Sequence, residues 1–243
     1  MKNIMEVMLM RPFINNYVDI MDFLDDQVKY IPWDDFYGLR NMPANFIIQN
    51  ELPDENLVGF LSRGFQIASA IEFGCGEGRN AIYMAKQGLT VTAFDVSSVA
   101  INTARNIANQ KSTNVDFRCQ DIFKAVIDCK YDLAYDSGML HHLAPHRRIT
   151  YIDLLKSILK PDGYFGLTCF SWGDNCGDEI NDWEFYEKGS FGGVAFTKER
   201  LLDLFSPHFD ILEIRKYKDG IANTIQGIGD FMWVCLFKNS IHL

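Results

Sequence analysis

Long apolar runs and an excess of positive charge are both missing from this sequence of 243 residues. An apolar stretch at residues 4–10 is interrupted by Glu6, is too short for a signal-peptide core and has no small-residue cleavage site after it. No other stretch approaches the ~20 apolar residues that a membrane-spanning helix needs. These absences predict a soluble cytoplasmic protein.

Basic residues are too few to form a nucleic-acid surface. Lys and Arg number 23 against 32 Asp and Glu, which gives a formal net charge of −9. Non-specific binding to phosphates relies on clustered positive charge, and no window of the sequence gathers more than a few Lys or Arg. The composition therefore disfavours nucleic acid as a partner.

Paired cysteines are also missing. The six cysteines are scattered along the chain, and none belongs to a Cys-x-x-Cys motif. Disulfide frameworks and zinc sites use cysteines at short, recognisable spacings. We therefore expect reduced thiols that mostly pack in the interior, and no zinc.

Strand-like and helix-like segments alternate from residue 70 onward, which is typical of βαβ units around a parallel sheet. The alternation predicts an α/β fold with a doubly wound sheet. The predicted strands cover residues 70–73, 90–95, 114–119, 131–136, 163–170, about 208–217 and about 230–238, and the predicted helices between them cover 78–87, about 97–109, 146–159 and 197–205.

Two segments depart from this alternation. Residues 11–30 have apolar side chains at helical spacing, and residues 31–55 follow as a loop-like stretch with proline breakers and aromatic anchors. Residues 171–196 are rich in Gly, Asp and aromatics, and a long irregular insertion in a compact domain is typical of a functional lid. We predict an N-terminal helical cap at 1–64 and one domain at 65–243 that carries a substrate lid at 171–196.

A glycine turn follows the first predicted strand, formed by Gly74, Gly76 and Gly78. Glycine lets backbone N–H groups come close to a ligand at the start of the following helix. Asp95 ends the second strand, where a carboxylate can accept hydrogen bonds from ribose hydroxyl groups. A dinucleotide fingerprint would need glycine at position 79, which is Arg79. The turn predicts a nucleotide site and disfavours a nicotinamide oxidoreductase.

With Glu72 before it, the Gly-x-Gly-x-Gly turn resembles the first motif of class I S-adenosylmethionine-dependent methyltransferases. Asp121-Ile122 after the third strand and Asp136-Ser137-Gly138 after the fourth stand where that family has its adenine and substrate-end motifs. The resemblance implies S-adenosyl-L-methionine as the cofactor. It also implies a Rossmann-like sheet of seven strands, mostly parallel with an antiparallel last strand, helices on both faces and an N-terminal helical cap.

Shorter stretches resemble one branch of that family, the small-molecule methyltransferases that include thiopurine and tellurite-resistance enzymes. These stretches are residues 33–37, Tyr135-Asp136-Ser137-Gly138, His141-His142, Pro145-His146-Arg147-Arg148 and Tyr151. The resemblance implies a small-molecule acceptor, with sulfur, oxygen, nitrogen or a metalloid as the accepting atom. Because Ser137 stands where the thiopurine type commonly has Arg, no particular substrate carries over.

In this branch the N-terminal segment covers the cofactor, so the implied contacts come from both parts of the chain. Simpler roles stay open for several of these residues: the acids can cap helices or organise the glycine turn, and the aromatics can pack in the core. The predicted cofactor-binding residues are Trp33, Tyr37, Arg40, Glu72, Gly74, Cys75, Gly76, Asp95, Val96, Asp121, Ile122 and Asp136.

Methyl transfer from a sulfonium is an in-line displacement in which alignment and water exclusion do much of the work. A strong base is optional. We predict His141 and Asp136 as the catalytic residues, since an imidazole titrates near neutral pH and can take a proton from a thiol, hydroxyl or amine. The displacement needs no metal, so we predict no metal site. Arg147 and Arg148 either hold an anionic substrate group or face solvent.

Two other functions stay open at this point. A cofactor-binding protein without transferase activity would have the same cofactor motifs. A nucleic-acid methyltransferase is disfavoured by the charge of −9, and because Asp136-Ser137-Gly138 lacks the Asn/Asp-Pro-Pro-aromatic sequence of enzymes that methylate base amino groups.

Overall fold

The computed structural model describes residues 13–28, 31–39, 51–174, 176–189, 192–229 and 231–240. Arg40, one of the predicted cofactor-binding residues, lies outside these ranges. Within them, no helix has the length and the apolar character that crossing a membrane requires.

Seven strands form one sheet at the centre of the fold. Their bounds are β1 Ser69–Phe73, β2 Thr90–Asp95, β3 Asp116–Cys119, β4 Tyr131–Ser137, β5 Leu159–Phe170, β6 Asp210–Lys216 and β7 Met232–Lys238. The spatial order is β3-β2-β1-β4-β5-β7-β6, with every pair from β3 to β5 parallel and β7 antiparallel to both of its neighbours. The direction of winding reverses between β1 and β4, and ligands of open α/β sheets bind beyond the carboxyl ends of such strands. The predicted fold class is confirmed.

Helices cover both faces of this sheet. Their bounds are α1 Tyr17–Asp25, α2 Trp33–Gly38, α3 Glu55–Leu61, α4 Arg79–Lys86, α5 Ser98–Gln110, α6 Pro145–Ile158, α7 Asp182–Lys188 and α8 Lys198–Phe205. Side chains of α3, α4 and α5 belong to one apolar cluster, and side chains of α6 and α8 belong to a second. The two clusters lie on opposite faces of the sheet, so most of the sheet is buried on both sides.

Alternation along the strands assigns side chains to these two clusters. In β7, Val234 and Leu236 belong to the cluster with α3–α5, whereas Cys235 and Phe237 belong to the cluster with α6 and α8. All four side chains are fully buried. Successive residues of a strand point to opposite faces, and burial on both faces gives the continuous apolar runs from which the strands were predicted.

Strand β5 begins four residues earlier than predicted. The sequence Pro161-Asp162-Gly163 predicts a turn before the strand, but the structure places it inside β5 as an irregularity in the pairing with β4. Asp162 adopts a φ of +60°, and its N–H donates to the carbonyl of Asn239. The N–H of Asn239 in turn donates to the carbonyl of Gly163. These hydrogen bonds to a distant segment hold the turn in the sheet, which no local pattern predicts.

Two short helices lie in segments that the sequence reading treats as irregular. Helix α7 lies in the predicted lid, where the side chains of Asn181 and Glu184 form a reciprocal capping box at its start. That motif is readable in the sequence and is a signal that we missed. Helix α2 has no side-chain cap of this kind, and its first turn is instead anchored on a distant helix, as described below.

Helix α1 is held by charge at the start of α6. Arg147 donates from Nε to Asp25 and from Nη2 to Asp22, each at 2.7 Å. The ring of His146 lies between two partners, with Nε2 at 2.8 Å from Asp25 Oδ1 and Nδ1 at 2.7 Å from the hydroxyl of Tyr186 in α7. The first turn of α6 therefore connects the N-terminal helix with the helix in the predicted lid.

Replacing Arg147 with Gln should loosen α1 and leave the sheet intact. The change removes charge-assisted hydrogen bonds to two acids, and each such bond is worth about 1.5–3 kcal/mol. We expect amide hydrogen exchange of residues 17–25 to accelerate by roughly tenfold or more, with β1 and β4 unchanged. Arg118→Gln, which breaks an exposed pair with Asp116 and a contact with the ring of Phe94, is the matched control on β3. Unaltered protection of α1 in the Arg147 variant would contradict this account of its docking.

Candidate functional site

The glycine turn connects β1 to α4 in a conformation that only glycine adopts easily. Gly74, Gly76 and Gly78 have φ values of +63°, +53° and +83°. A Cβ added to these glycines would approach Met139, the hydroxyl of Tyr37 and the ring of Phe117 at 2.9, 2.6 and 2.8 Å respectively. Each glycine is thus required both by its backbone conformation and by a side chain that lies against it.

Asp95 closes the turn from the neighbouring strand. Its Oδ2 accepts a hydrogen bond from the N–H of Gly76 at 2.8 Å, and its Oδ1 accepts one from the N–H of Ser97 at 2.8 Å. The residue is 7% exposed, whereas the next residue, Val96, is 53% exposed. Each carboxylate oxygen has a second lone pair, so Asp95 can support the turn and still accept a hydrogen bond from a ligand.

Helix α2 lies over this turn. The hydroxyl of Tyr37 contacts the turn at Gly76, and burial together with the charge of Asp95 raises the pKa of Tyr37 well above its usual value. Asp34 holds the helix in place by accepting hydrogen bonds from the hydroxyl groups of Ser97 at 2.7 Å and Ser98 at 3.2 Å. The short helix therefore covers the end of the turn that Asp95 closes.

Glu72 points from β1 toward the face of the sheet that α3 and α4 cover, since Ile71 and Phe73 on either side of it belong to the other cluster. It is 2% exposed, and its Oε2 has no hydrogen-bond partner in the part of the chain that the structure describes. Burial raises the pKa of Glu72 to about 8, and the positive charge of Arg79 limits that rise. A buried carboxyl oxygen beside a glycine turn and without a partner is a group that a ligand can satisfy.

Arg79 occupies the junction between the turn and β4. Its Nη1 donates to Asp54 Oδ1 at 2.7 Å, and its Nη2 donates to the hydroxyl of Ser137 at 3.0 Å. Asp54 is fully buried and also accepts from the hydroxyl of Tyr135 at 2.8 Å. Arg79, which stands where a dinucleotide fingerprint would need glycine, therefore has a protein carboxylate as its partner.

Asp121 and Ile122 follow β3 at the edge of the same crevice. Asp121 Oδ1 accepts a hydrogen bond from the N–H of Phe123 at 2.9 Å, which is the local capping role left open by the sequence. Ile122 is 6% exposed and packs in the cluster on the α6 face. Their predicted contact with adenine stays a prediction.

Asp136 ends β4 as predicted, but its carboxyl group is turned into the protein. Its Oδ1 accepts from the N–H of Met139 at 2.7 Å, and its Oδ2 accepts from the N–H of Leu140 at 3.0 Å and from the hydroxyl of Tyr151 at 2.8 Å. Burial raises its pKa to about 7, while these hydrogen bonds act in the opposite direction. This geometry favours support of the turn after β4 over the catalytic role that we predicted for Asp136.

His141 and His142 lie in a single 3-10 turn, Leu140–His142, directly above Asp136. The ring of His141 stacks on Phe170 with 3.8 Å between centroids. The rings of Trp33 and His142 meet edge to face with 4.8 Å between centroids. Burial lowers the pKa of His141 well below its usual value and the pKa of His142 to about 4. Burial therefore favours the neutral form of both rings.

The sequence left open whether Arg147 and Arg148 hold an anionic substrate group or face solvent. The structure shows that neither residue faces solvent. Both are 3% exposed. Arg147 binds the acids of α1, and Arg148 donates to Asp182 of α7 at 2.6 Å. Protein acids thus pair with both guanidinium groups at the cation-disfavouring start of the helix. Nε and Nη2 of Arg148 are nevertheless buried without a hydrogen-bond partner among the described residues.

The structure brings most of the predicted residues to one edge of the sheet. Two residues that hold this site together were missed, Asp34 and Asp54. Each acts on a partner more than 20 positions away in sequence, so no local motif reveals it. The predicted residues at or beside the carboxyl ends of β1, β2, β3 and β4 are Glu72, Gly74, Cys75, Gly76, Asp95, Val96, Asp121, Ile122, Asp136 and His141, and α2 contributes Trp33 and Tyr37.

Fold and site together define a class. A sheet with the observed strand order, a Gly-x-Gly-x-Gly turn after β1 and an acid at the end of β2 form the arrangement of class I, S-adenosylmethionine-dependent methyltransferases. Residues 70–163 match the family model described as a methyltransferase domain. Residues 70–163 therefore resemble a methyltransferase domain, and the resemblance to class I inferred from the four sequence motifs is confirmed.

Similar proteins agree with this assignment. The chain is 32% identical over 94 residues to the ubiquinone biosynthesis O-methyltransferase of Coxiella burnetii, across 38% of this chain and 39% of that protein. Among solved structures, TehB from Haemophilus influenzae has a TM-score of 0.59 at 18% identity and covers 76% of this chain and 62% of its own. The N-methyltransferase NodS from Bradyrhizobium japonicum has a TM-score of 0.57 at 18% identity, over 90% and 97% of the two chains. At such identities the structural likeness establishes the fold alone.

The contact between α2 and the turn can be tested by adding one carbon. We expect Gly76→Ala to destabilise the protein by about 2–4 kcal/mol in urea unfolding, because left-handed strain and the approach to Tyr37 act together. Gly88→Ala is the control, since its φ is +91° but its Cβ would meet nothing within 4 Å, and it should lose only about 1 kcal/mol. Part of the Gly76 loss should be recovered in a Tyr37→Phe background. Equal losses at the two glycines would refute the contact.

The buried carboxyl group of Glu72 makes a pH-dependent contribution to stability. Folding raises its pKa from 4.5 to about 8, so the native state holds an extra proton between these values and becomes less stable as pH rises through them. Glu72→Gln removes this effect, so its stability relative to wild type should increase with pH, by at most about 1.4 kcal/mol per pH unit.

Urea unfolding of wild type and Glu72→Gln between pH 5 and 9 measures the difference in their free energies of unfolding. The titration of Asp136 cancels in this difference because both proteins contain Asp136. Glu187→Gln on the exposed side of α7 is the control and should give a difference that does not vary with pH. A flat difference for Glu72→Gln would mean that Glu72 is ionised in the native protein.

Proposed function

We propose that this protein transfers the methyl group of S-adenosylmethionine to a small-molecule acceptor, in the cytoplasm and without nucleic acid as a partner. The observation that carries the proposal is the glycine turn, which lies between the unpartnered oxygen of Glu72 and the carboxylate of Asp95. The family match over residues 70–163 supports the reaction type.

The residues present fit this cofactor. The backbone of Gly74 and Gly76 has no side chain between its amide groups and a ligand. Glu72 Oε2 is a buried acceptor that the cofactor's ammonium group can satisfy. Asp95 retains lone pairs for ribose hydroxyl groups beside the exposed side chain of Val96. The structure of NodS holds S-adenosyl-L-homocysteine, which supports the same type of ligand here.

The residues of this chain would act mainly by alignment and by excluding water. When bound, S-adenosylmethionine supplies a methyl group on a positively charged sulfur. Trp33 and Tyr37 of α2 cover the turn, and Trp172 at the start of the predicted lid is 38% exposed and available to cover an acceptor. Aromatic faces keep a site dry and tolerate a nearby cation. The described residues of 1–64 and 171–196 would then form the two covers of the site.

Several observations support a small acceptor. Ubiquinone biosynthesis names the process of one relative, and the other similar proteins include the N-methyltransferase NodS. The net charge of −9 opposes binding to nucleic acid. Polar groups of Ser137, His141 and His142 lie at and above the end of β4. The ring of Trp33 packs against His142 and the ring of Phe170 against His141, so aromatic side chains enclose the side that an acceptor would approach.

Isothermal titration with S-adenosylhomocysteine tests the cofactor. Wild type should bind, and Asp95→Ala should bind more weakly by about 1–3 kcal/mol through lost ribose hydrogen bonds. Asp116→Ala, an exposed acid on β3, is the control and should bind as wild type does. Absence of binding by folded wild-type protein would overturn the proposal. Circular dichroism of each variant shows whether weaker binding reflects unfolding.

A panel of acceptors then separates an enzyme from a protein that only binds the cofactor. Thiols, phenols, amines and oxyanions of selenium and tellurium are each incubated with S-adenosylmethionine and protein. An enzyme forms S-adenosylhomocysteine in proportion to the acceptor supplied, whereas a binding protein forms none with any of them.

A further inference from the structure

The carboxyl group of Glu72 lies in the interior, and one of its oxygens has no partner. The residue is 2% exposed, and Oε2 makes no hydrogen bond to any of the described residues. Apolar side chains of α3 and α4 cover this side of β1. An ionised carboxylate in such a place loses its hydration without a compensating hydrogen bond, whereas a neutral carboxylic acid is tolerated.

Arg79 does not act as the counterion of Glu72. Its Nη1 donates to Asp54 Oδ1 at 2.7 Å, and its Nη2 donates to the hydroxyl of Ser137 at 3.0 Å. Asp54 is fully buried beside it, so the charges of Arg79 and Asp54 act on Glu72 in opposite directions. The pair therefore offers Glu72 little net positive charge.

The strands on either side add no positive charge. Tyr135 lies directly opposite Glu72 on β4, and Ala93 lies opposite it on β2. Cys75 of the glycine turn also faces Glu72. Burial raises the pKa of Tyr135 and of Cys75 well above their usual values, so both are neutral near pH 7. Burial likewise raises the pKa of Glu72 to about 8, although the charge of Arg79 opposes the rise.

Glu72 is also placed to meet a ligand. It stands two residues before Gly74, at the carboxyl end of β1 where ligands of open α/β sheets bind. The amino-acid part of S-adenosylmethionine has an ammonium group that is positively charged near neutral pH. A cation beside a buried carboxyl group favours its ionised form. A ligand at this turn can therefore supply the counterion that Glu72 lacks.

The groups that lie against the turn are side chains that can move. Met139 lies against Gly74, and the hydroxyl of Tyr37 lies against Gly76. Both side chains are half-buried, and neither belongs to a strand of the sheet. A ligand can displace them without moving β1 or Glu72.

We propose that Glu72 is a neutral carboxylic acid before the cofactor binds, and that it releases its proton to solvent when the ammonium group of the cofactor binds at the glycine turn. Glu72 is then a carboxylate that pairs with that ammonium group. The inference rests on the proposed use of S-adenosylmethionine and adds one proton to its binding equilibrium.

The exchange balances in atoms and in charge. The O–H bond of Glu72 breaks, its electron pair stays on the carboxylate, and the proton passes to water or buffer. One positive charge enters the site and one leaves it, so the net buried charge does not change. Because protons compete with the ligand, affinity increases as pH rises and stops increasing once Glu72 is already ionised without the ligand.

Titration calorimetry with S-adenosylhomocysteine, which has the same ammonium group, counts the proton. At pH 7, the binding enthalpy in buffers of different ionisation enthalpy should show release of about one proton per ligand. The Kd should fall by up to about tenfold per pH unit from pH 6 to 7.5 and level off above pH 8. A Kd that does not change with pH, with no proton released, would overturn the proposal.

A second ligand and two variants identify the source of the proton. Methylthioadenosine has the same nucleoside but no ammonium group, so it should bind to wild type without releasing a proton. Glu72→Gln should bind S-adenosylhomocysteine with no proton released and, at pH 8, about tenfold more weakly than wild type. Glu187→Gln on the exposed side of α7 should behave as wild type does. Proton release with methylthioadenosine, or in Glu72→Gln, would contradict the proposal.

Infrared spectra test the protonation of Glu72 directly. At pH 6.5, wild type should show the carbonyl stretch of a protonated carboxyl group that Glu72→Gln lacks and that S-adenosylhomocysteine abolishes. The signal of Asp136, whose pKa burial raises to about 7, cancels in the difference between the two proteins. Wild type with and without the ligand decides even if Glu72→Gln fails to fold, because a protonated carboxyl signal that the ligand leaves unchanged would reject the exchange.

These measurements separate failure of this inference from failure of the proposed function. Absence of S-adenosylhomocysteine binding by folded wild type at pH 8 would overturn the proposed function and the proton exchange together. Binding without proton release would reject only the exchange and leave the proposed methyl transfer in place.

Discussion

The hydrogen bond from the N–H of Gly76 to the carboxylate of Asp95 is the interaction on which the rest of the site depends. It joins the turn after β1 to the end of β2, so the two strands present one continuous edge. The bond is possible because glycine at 76 adopts a φ of +53° and leaves room for Tyr37 above it. The same carboxylate holds Ser97, and the hydroxyl of Ser97 in turn holds Asp34 of α2. One acid thus shapes the turn and indirectly positions the helix that covers it.

Most acidic and basic side chains of this site have hydrogen-bond partners within the protein. Asp136 supports the turn after β4, Arg79 binds Asp54, and Arg147 binds the acids of α1. Glu72 differs, because one of its oxygens lacks a partner and burial raises its pKa to about 8. Since buried polar groups are normally paired, this oxygen supports the ligand site proposed at the glycine turn. The proposed reaction agrees with this pattern, because a sulfonium displacement asks for enclosure and alignment more than for a free acid or base.

The two segments proposed to cover the site are attached to the same helix. The first turn of α6 binds α1 through Arg147 and α7 through Arg148, and the ring of His146 contacts both. The N-terminal segment and the predicted lid therefore share an anchor next to the histidine pair. Each of these contacts joins residues at least 34 positions apart, so the sequence shows the charges but not their partners.

The sequence by itself determined the sheet, the glycine turn and the resemblance to class I methyltransferases. Apolar runs define buried strands, and three glycines with an acid 21 positions after the first define the cofactor edge, because these features are local or regularly spaced. Only the tertiary structure decided what the polar side chains do. Whether Asp136 is free, whether His141 can accept a proton and what Asp34 holds depend on hydrogen bonds to groups distant in sequence or on how one turn is folded. Spacing reveals which residues reach an edge of the sheet, whereas their protonation and partners follow from packing.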